Sequence, residues 1–253
     1  MCMGKDFDNK KTRHLKVVCD FDGTISSVDT TDAILNRFAP PEWEEVEKEW
    51  VSGNIDAHEC MSRQIAMLKI DKTVLNCFLE NIPLTRGFVA FAKFAQKNCM
   101  DISIVSDGLD YVINFLLTHY LIFGIPVLAN HLVIEKDGFC LEFPHNRDGC
   151  GQGVCKCALT ETNGEDAVVL IGDGRSDFCL AEKADLVLAR SGSLLEKYCE
   201  EKGLKYTAFV DFHEVRETFE WLDSVVEIND SDILQLIEYR NRVVYREGEL
   251  VND

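Results

Sequence analysis

Two aspartates at the end of an apolar run have the spacing of a reactive site. Asp20 and Asp22 follow Val17-Val18-Cys19 and precede Gly23 and Thr24. Side chains two residues apart in an extended chain face the same side, so the two carboxylates repel each other unless a cation or a proton intervenes. Mg²⁺ suits oxygen ligands where phosphate is also bound. Taken alone, the motif is also compatible with a helix cap or a calcium-binding turn.

A second acidic pair follows another apolar run. Asp173 and Asp177 lie in Gly172-Asp173-Gly174-Arg175-Ser176-Asp177, directly after Val168–Ile171. Ligands collect outside the carboxyl ends of the strands in an open α/β sheet. We therefore expect Asp173 to reach the same edge as Asp20, with Asp177 one helical turn further on. Carboxylates from two strand ends favour a metal site over a structural cap.

A serine and a lysine could bind an anionic oxygen at the same edge. Ser106, with Asp107 and Gly108, follows Ile102–Val105 at the predicted start of a helix, where backbone N–H groups are free. Lys156 lies before another predicted helix and offers a compact positive charge. Taken singly, a serine such as Ser106 is more often a helix cap, and a lysine such as Lys156 is more often a surface residue. Their order along the chain, between the two acidic motifs, favours phosphate chemistry.

Short apolar runs alternate with helical periods, which predicts a parallel sheet with crossover helices on both faces. The predicted strands are Leu15–Cys19, Ile102–Val105, Val127–Ala129, Val168–Ile171, Leu186–Ala189 and Tyr206–Val210. The predicted helices of this sheet are Phe88–Lys97, Leu109–His119, Phe178–Lys183, Ser193–Glu201 and His213–Leu222. The fold class is therefore α/β, a Rossmann-like doubly wound parallel sheet.

Two segments interrupt that alternation. A stretch after the first strand has only helical periods, including Trp43–Trp50 and Cys60–Leu68, which predicts a small helical cap. Lys136-Asp137-Gly138 predicts a hairpin turn between Leu132–Glu135 and Phe139–Phe143, before Lys156. The predicted division is a core of residues 1–28 and 82–226, a cap of residues 29–81 and a C-terminal helical tail of residues 227–253.

The order of these motifs resembles the haloacid-dehalogenase-like phosphatase superfamily, in its phosphoserine-phosphatase-like branch, over Leu15 to Leu222. The resemblance implies that Asp20 is the nucleophile, forming an aspartyl-phosphate, and that Asp22 is the acid and base. It implies that Mg²⁺ is bound by Asp20, the backbone carbonyl of Asp22 and Asp173, with Asp177 supporting that shell. The implied phosphate-binding residues are Thr24, Ser106, Asp107, Gly108 and Lys156.

Within the superfamily, the chain resembles the methionine-salvage phosphatases. The matching segments are Phe38–Trp43, Ser106–Asp110, Pro144-His145 and Asp211–Arg216. The resemblance implies a small phosphorylated metabolite as substrate, 2-hydroxy-3-keto-5-methylthiopentenyl-1-phosphate, with Asp29 and Asp110 near it.

Phosphoserine is the rival substrate, because Asp29 stands where phosphoserine phosphatases have an acidic residue for the amine. The position of their cap arginine falls on Ser62, with Arg63 one residue along the helix. A phosphoryl-accepting signalling module and a non-catalytic binding protein are the other classes. A receiver module has no acid/base two residues after the phosphorylated aspartate, and a binding protein would not need every motif.

Composition excludes several further classes. Among 253 residues, 26 Lys and Arg against 44 Asp and Glu give a net charge of −18, which argues against nucleic acid as a partner. No apolar run is long enough to span a membrane. Eleven cysteines in a long chain without a predicted signal peptide indicate reduced thiols and a cytoplasmic location. A zinc site at His145, Cys150, Cys155 and Cys157 remains open, although its spacing is unusual.

Overall fold

The computed structural model describes residues 15–136, 138–147, 152–160, 166–223 and 233–238, without the side chains of residues 159, 160 and 223. Seven strands form one sheet in the order β4-β3-β2-β1-β5-β6-β7, in which every pair is parallel except β3 and β4. The strands are β1 Leu15–Cys19, β2 Asp101–Leu109, β3 Val127–Ile134, β4 Phe139–Glu142, β5 Ala167–Gly172, β6 Leu186–Arg190 and β7 Tyr206–Phe209.

Helices follow the strands, as crossover connections between parallel strands require. The α-helices are α1 Thr30–Phe38, α2 Trp43–Val51, α3 Ala57–Ala66, α4 Lys72–Leu79, α5 Phe88–Lys97, α6 Asp110–His119, α7 Phe178–Ala181, α8 Leu194–Lys202 and α9 Phe212–Asp223. Two 3₁₀ helices cover Lys156–Thr160 and Arg175–Asp177. This architecture confirms the predicted α/β doubly wound sheet.

The sheet is covered on both faces, because alternate residues of its central strands β1, β5 and β6 enter different apolar clusters. In β1, Val17 and Cys19 pack in a cluster that includes residues of α5, α6 and α9. Val18 between them packs in a second cluster, with Leu180 of α7 and Leu195 of α8. With apolar side chains buried on both faces, the central strands read as continuous hydrophobic runs in the sequence.

Helices α1 to α4 form an insertion between β1 and α5, as the sequence predicted. The chain segments before and after the insertion are adjacent, because Ser26 forms a β-bridge with Leu84. Its last helix is also attached to the sheet layer, because the Tyr111 hydroxyl on α6 donates to Asn76 Oδ1 on α4 at 2.6 Å. These two contacts attach the inserted helices to the rest of the fold.

Two predicted elements differ in the structure, and a third can be compared only in part. Strand β3 is continuous from Val127 to Ile134, so the predicted hairpin strand at Leu132–Glu135 is part of the sheet strand that precedes it. Strand β2 extends beyond its predicted end at Val105 to Leu109, with a register shift between those residues. Of the predicted tail, residues 233–238 are helical, and the rest of it lies outside the described residues.

Candidate active site

The predicted acidic residues meet at the carboxyl edge of the central strands. Cys19, the last residue of β1, pairs with Ile171 of β5, and the Asp20 amide donates to the Ile171 carbonyl at 2.8 Å. Asp20 and Asp173 therefore leave neighbouring strands at the same level. Ligand oxygens of Asp20, Asp173 and Asp177 all lie within 4.8 Å of one another. This close group of carboxylates could bind a metal ion.

Lys156 provides the positive charge among these carboxylates. Its side chain is fully buried, and its ammonium lies 3.0 Å from Asp20 Oδ1 and 2.6 Å from Asp177 Oδ1. Burial opposes a charge on this side chain, but Asp177 and Asp20 together raise the pKa of Lys156 above its ordinary value. One ammonium against three carboxylates leaves a formal charge of −2 (+1 − 3), which a divalent cation would neutralise.

The same crowding acts on the Asp20 carboxyl. Burial raises its pKa, Lys156 opposes that shift, and the charges of Asp177 and Asp173 raise it further. The metal-free site therefore favours uptake of a proton or a cation.

Backbone and hydroxyl donors orient the other two acidic residues of the cluster. The amides of Asp173 and Gly174 both donate to Asp177 Oδ2 at 3.1 Å. The Thr24 hydroxyl donates to Asp173 Oδ1 at 2.7 Å. The Thr24 side chain, predicted to bind phosphate, thus orients a carboxylate of the cluster. Asp177, predicted only to support the metal shell, belongs to the same cluster of ligand oxygens as the other two aspartates.

The Asp22 carboxylate is not part of this cluster of three and is hydrogen-bonded to Thr30. Its Oδ1 accepts the Thr30 amide at 2.7 Å and the Thr30 hydroxyl at 2.6 Å, at the first residue of α1. Burial raises the pKa of Asp22 to about 7, and the charge of Asp29 adds to that shift while Thr30 opposes it. Asp22 is thus held at the base of the inserted helices, where a proton could be carried at neutral pH.

Ser106 and Gly108 lie in the irregular end of β2 and not at the start of a helix. Helix α6 begins at Asp110, one residue after the predicted start at Leu109, and the register shift after Val105 interrupts the regular pairing of this segment with β3. The buried Ser106 Oγ accepts the Gly108 amide at 3.0 Å. A Cβ on Gly108 would collide with Asp22 Oδ2 and lie 3.1 Å from Ser106 Oγ. Only glycine allows these two side chains to approach this turn.

The Asp107 carboxylate, predicted to lie at the phosphate, is hydrogen-bonded to the backbone of Val154. Its Oδ1 accepts the Val154 amide at 2.8 Å, so the carboxylate connects the end of β2 to the segment that leads to Lys156. A carboxylate would repel a phosphate. Any phosphate contact at this position is therefore restricted to the backbone.

The two residues predicted near the substrate have local partners. Asp29 is exposed and caps α1 by accepting the Asp32 amide at 2.8 Å. Asp110 Oδ1 accepts the Leu132 amide at 2.9 Å, and its Oδ2 lies 2.7 Å from His131 Nδ1. These partners stabilise the fold around the site, and the roles predicted for both residues toward a substrate stay predictions.

The predicted zinc ligands do not form a metal cluster in the described part of the chain, where the three aspartates are the only such group. Cys155 and Cys157 have their sulfur atoms 3.5 Å apart on either side of Lys156. Cys150 lies outside the described residues, so the predicted set as a whole is untested. No helix of the described residues is both long enough and apolar enough to cross a bilayer.

Sequence reasoning missed Thr30 and Asn130. Asn130 is fully buried in β3, and its Nδ2 donates to the Asp107 carbonyl at 2.5 Å. An asparagine within an apolar strand is a signal that could have identified it, because asparagine is depleted in strands. Thr30 carries no such signal, since threonine is ordinary at a helix start.

Known proteins match the chain along most of its length. The family described as "Putative Phosphatase" matches residues 15–226. The chain belongs to this phosphatase family. A 2-hydroxy-3-keto-5-methylthiopentenyl-1-phosphate phosphatase of Bacillus cereus (strain ATCC 10987 / NRS 248) is 31% identical to this phosphatase, over 82% of its chain and 97% of the relative. A relative of the same name from Bacillus velezensis is 29% identical, over 85% of the chain and 93% of the relative.

A solved structure with the same fold is a substrate-bound phosphoserine phosphatase complex. It has a TM-score of 0.58 and 21% sequence identity, and covers 74% of this chain and 90% of its own. This likeness shows a shared fold, and the relatives at about 30% identity confirm the predicted resemblance to the methionine-salvage phosphatases. The protein is a phosphoric monoester hydrolase, as the motifs predicted.

Proposed function

We propose that this phosphatase hydrolyses 2-hydroxy-3-keto-5-methylthiopentenyl-1-phosphate in a Mg²⁺-dependent reaction through an aspartyl-phosphate. The names of the relatives at about 30% identity support the substrate. The observation that carries the chemistry is the buried Lys156 ammonium between Asp20 and Asp177. The Lys156 ammonium orients the proposed nucleophile, Asp20, and offers positive charge to a phosphoryl group next to it.

The residues present fit a hard divalent cation. Three carboxylates with oxygens within 4.8 Å of one another are the donors that Mg²⁺ prefers, and their excess charge of −2 balances it. Asp20, Asp173 and Asp177 would hold the ion, with the Asp22 backbone carbonyl as a further oxygen donor. When bound, Mg²⁺ supplies charge neutralisation of the phosphoryl oxygens.

In the first half of the proposed reaction, an Asp20 oxygen attacks the phosphorus and the bond from phosphorus to the ester oxygen breaks. The Asp22 carboxyl donates its proton to the leaving oxygen, which departs as a hydroxyl group. Thr30 holds Asp22 on the side of the inserted helices, separate from the metal cluster. Ser106 and Lys156 would bind the phosphoryl oxygens, with the backbone of Gly108 close by.

In the second half, a water molecule attacks the phosphorus and the bond from phosphorus to Asp20 breaks. The Asp22 carboxylate now accepts a proton from the water, which restores its starting state. Inorganic phosphate is released, and Asp20 is again a carboxylate paired with Lys156. One aspartate thus serves as acid and then as base, as microscopic reversibility requires for this sequence of steps.

We assign the helices of residues 29–81 to a cap that excludes water and selects the substrate, over a core of residues 1–28 and 82–226. Arg63 lies in this cap, and its guanidinium pairs with Glu49 at 2.9 Å. A guanidinium already paired with a carboxylate is a poor anchor for the carboxylate of phosphoserine. This contact favours the methylthio substrate, and phosphoserine is the second candidate.

A turnover panel tests the proposed substrate. The purified protein is assayed with Mg²⁺ on the methylthiopentenyl phosphate, phosphoserine and p-nitrophenyl phosphate. We expect kcat/KM for the first ester to exceed that for phosphoserine by at least about 10-fold, which corresponds to about 1.4 kcal/mol. Equal values, or a preference for phosphoserine, would overturn the substrate assignment.

Two further measurements test the chemistry itself. Asp20→Asn should abolish turnover of every ester, because an amide is a poor nucleophile, while the melting temperature stays close to that of the parent protein. EDTA should stop turnover, and Mg²⁺ should restore it. Stoichiometric labelling without turnover would instead indicate a phosphoryl-accepting signalling module.

A further inference from the structure

We infer that Asn130 is a positioning residue that sets the relative placement of Ser106 and Lys156 around Asp20. The inference rests on the proposed function, because it concerns the residues that would bind the phosphoryl group. Asn130 is fully buried and pairs with Leu109 in the register between β3 and β2. It therefore lies beside the irregular end of β2.

The Asn130 amide contacts three segments that the proposed reaction uses. Its Nδ2 donates to the Asp107 carbonyl at 2.5 Å, next to Ser106. The same nitrogen lies 3.7 Å from Met61 Sδ, on helix α3 of the inserted layer. The third is the segment that leads to Lys156. It lies so close to the Asn130 amide that a Cβ on Gly153 would be 2.7 Å from Nδ2 and 2.8 Å from Oδ1.

A second contact completes the connection between the two phosphate-binding segments. Asp107 Oδ1 accepts the Val154 amide at 2.8 Å, two residues before Lys156. The backbone carbonyl of Asp107 is thus held by Asn130, and its carboxylate holds the segment that carries the lysine. A change at Asn130 would shift Ser106 directly and Lys156 through Asp107.

The orientation of the amide follows from its neighbours. If the amide were flipped, Oδ1 would face the Asp107 carbonyl oxygen, and two acceptors repel each other. In the observed orientation, Oδ1 is buried and has no hydrogen-bond partner among the described residues. A buried acceptor without a partner lowers stability. Asparagine is therefore a poor choice for stability alone at this position, which points to a role in activity.

The test is Asn130→Leu, assayed with Mg²⁺ and p-nitrophenyl phosphate in the full-length protein. Leucine removes the donor to Asp107 and also the unpartnered acceptor, so their effects on stability oppose each other. We expect kcat to fall about 10- to 100-fold, because small misplacements of catalytic groups have effects of this size. KM and the melting temperature should change little.

The matched control is Asn114→Ala. Asn114 also donates its Nδ2 to a backbone carbonyl, that of Asp110 at 2.8 Å, but it is exposed on α6. Its replacement should leave kcat unchanged. If Asn130→Leu does not fold, Asn130→Ser replaces it, because a serine hydroxyl is too short to reach the Asp107 carbonyl and cannot overfill the site.

A double-mutant cycle with Asp107→Ala separates positioning from a general loss of stability. Asn130 affects Ser106 directly, but its effect on Lys156 passes through the Asp107 side chain, so the double variant should lose less kcat than the product of the two single losses. Losses that multiply would overturn the inference, as would an Asn130 variant with the parent kcat. An Asp20→Asn protein that retained activity would instead refute the proposed function, which distinguishes the two failures.

Discussion

Replacing the buried lysine is the most direct test of the electrostatics of the site. Lys156→Met keeps the length of the apolar stem and removes the ammonium that lies 3.0 Å from Asp20 and 2.6 Å from Asp177. Both carboxylates and the lysine are almost fully buried. Removing one partner of a buried ion pair costs about 3–5 kcal/mol, because the remaining charge is left without compensation.

The expected effect is measurable by thermal unfolding in EDTA. At about 2–4 °C per kcal/mol for a chain of this size, the melting temperature should fall by roughly 6–20 °C. Added Mg²⁺ should restore part of the loss, since a divalent cation compensates the same carboxylates. Phosphatase activity should be lost in either condition, because the proposed phosphoryl contact is absent.

Two controls separate this effect from simple loss of a lysine. Lys48 pairs with Glu45 at 2.8 Å on the surface, and Lys48→Met should leave the melting temperature almost unchanged, because solvent screens an exposed ion pair. Asp177→Asn combined with Lys156→Met removes a positive and a negative charge together, and should recover part of the lost stability. A Lys156→Met protein that melts within about 2 °C of the parent in EDTA would refute the reasoning.

Three further predictions concern the same edge of the sheet and its surroundings. Gly108→Ala should lower kcat about 100-fold without unfolding the protein, since the new Cβ collides with Asp22; unchanged kinetics would contradict this. Mg²⁺ at about 100 times its Kd should add about 2.7 kcal/mol to stability, seen as a higher melting temperature that Asp173→Asn abolishes. The hydrogen bond to Asp110 raises the pKa of the half-exposed His131. His131→Asn should therefore lower the free energy of unfolding, measured with urea, by up to about 1 kcal/mol at pH 6 and by progressively less toward pH 9.

The sign of that last prediction follows from linkage. A histidine whose folded pKa is raised stabilises the folded state below its unfolded pKa of about 6.5, and this contribution is lost as the pH rises through the folded pKa. A stability difference that grew toward pH 9 would therefore show that the ion pair with Asp110 is not its cause.

Much of the sheet could be predicted from the sequence, because its central strands are buried on both faces. Strand β1 has the predicted bounds Leu15–Cys19, and helix α5 has the predicted bounds Phe88–Lys97. The meeting of Asp20 and Asp173 also follows from sequence, since both residues come directly after strands of one parallel sheet. A general rule about strand ends was sufficient for that prediction.

Other features of the site depend on contacts between distant segments. No local pattern indicates that Lys156 is fully buried against Asp177, or that Asp107 accepts the Val154 amide. The extension of β2 beyond Val105 depends on its pairing with β3, which continues to Asn130. A local pattern ending at Val105 therefore placed the strand end too early, although the predicted helix start at Leu109 is only one residue from the observed Asp110.

Hydrophobic periodicity and turn residues act over a few neighbouring positions, so they are sufficient to predict which residue types reach the carboxyl edge of the sheet. Which of these groups touch depends on contacts between distant segments. Asp22 is hydrogen-bonded to Thr30 and is not part of the cluster of three carboxylates, and Asn130 joins segments that are far apart in the chain. Such contacts arise from strand register and from the paths of connecting segments, which the packing of the whole chain establishes.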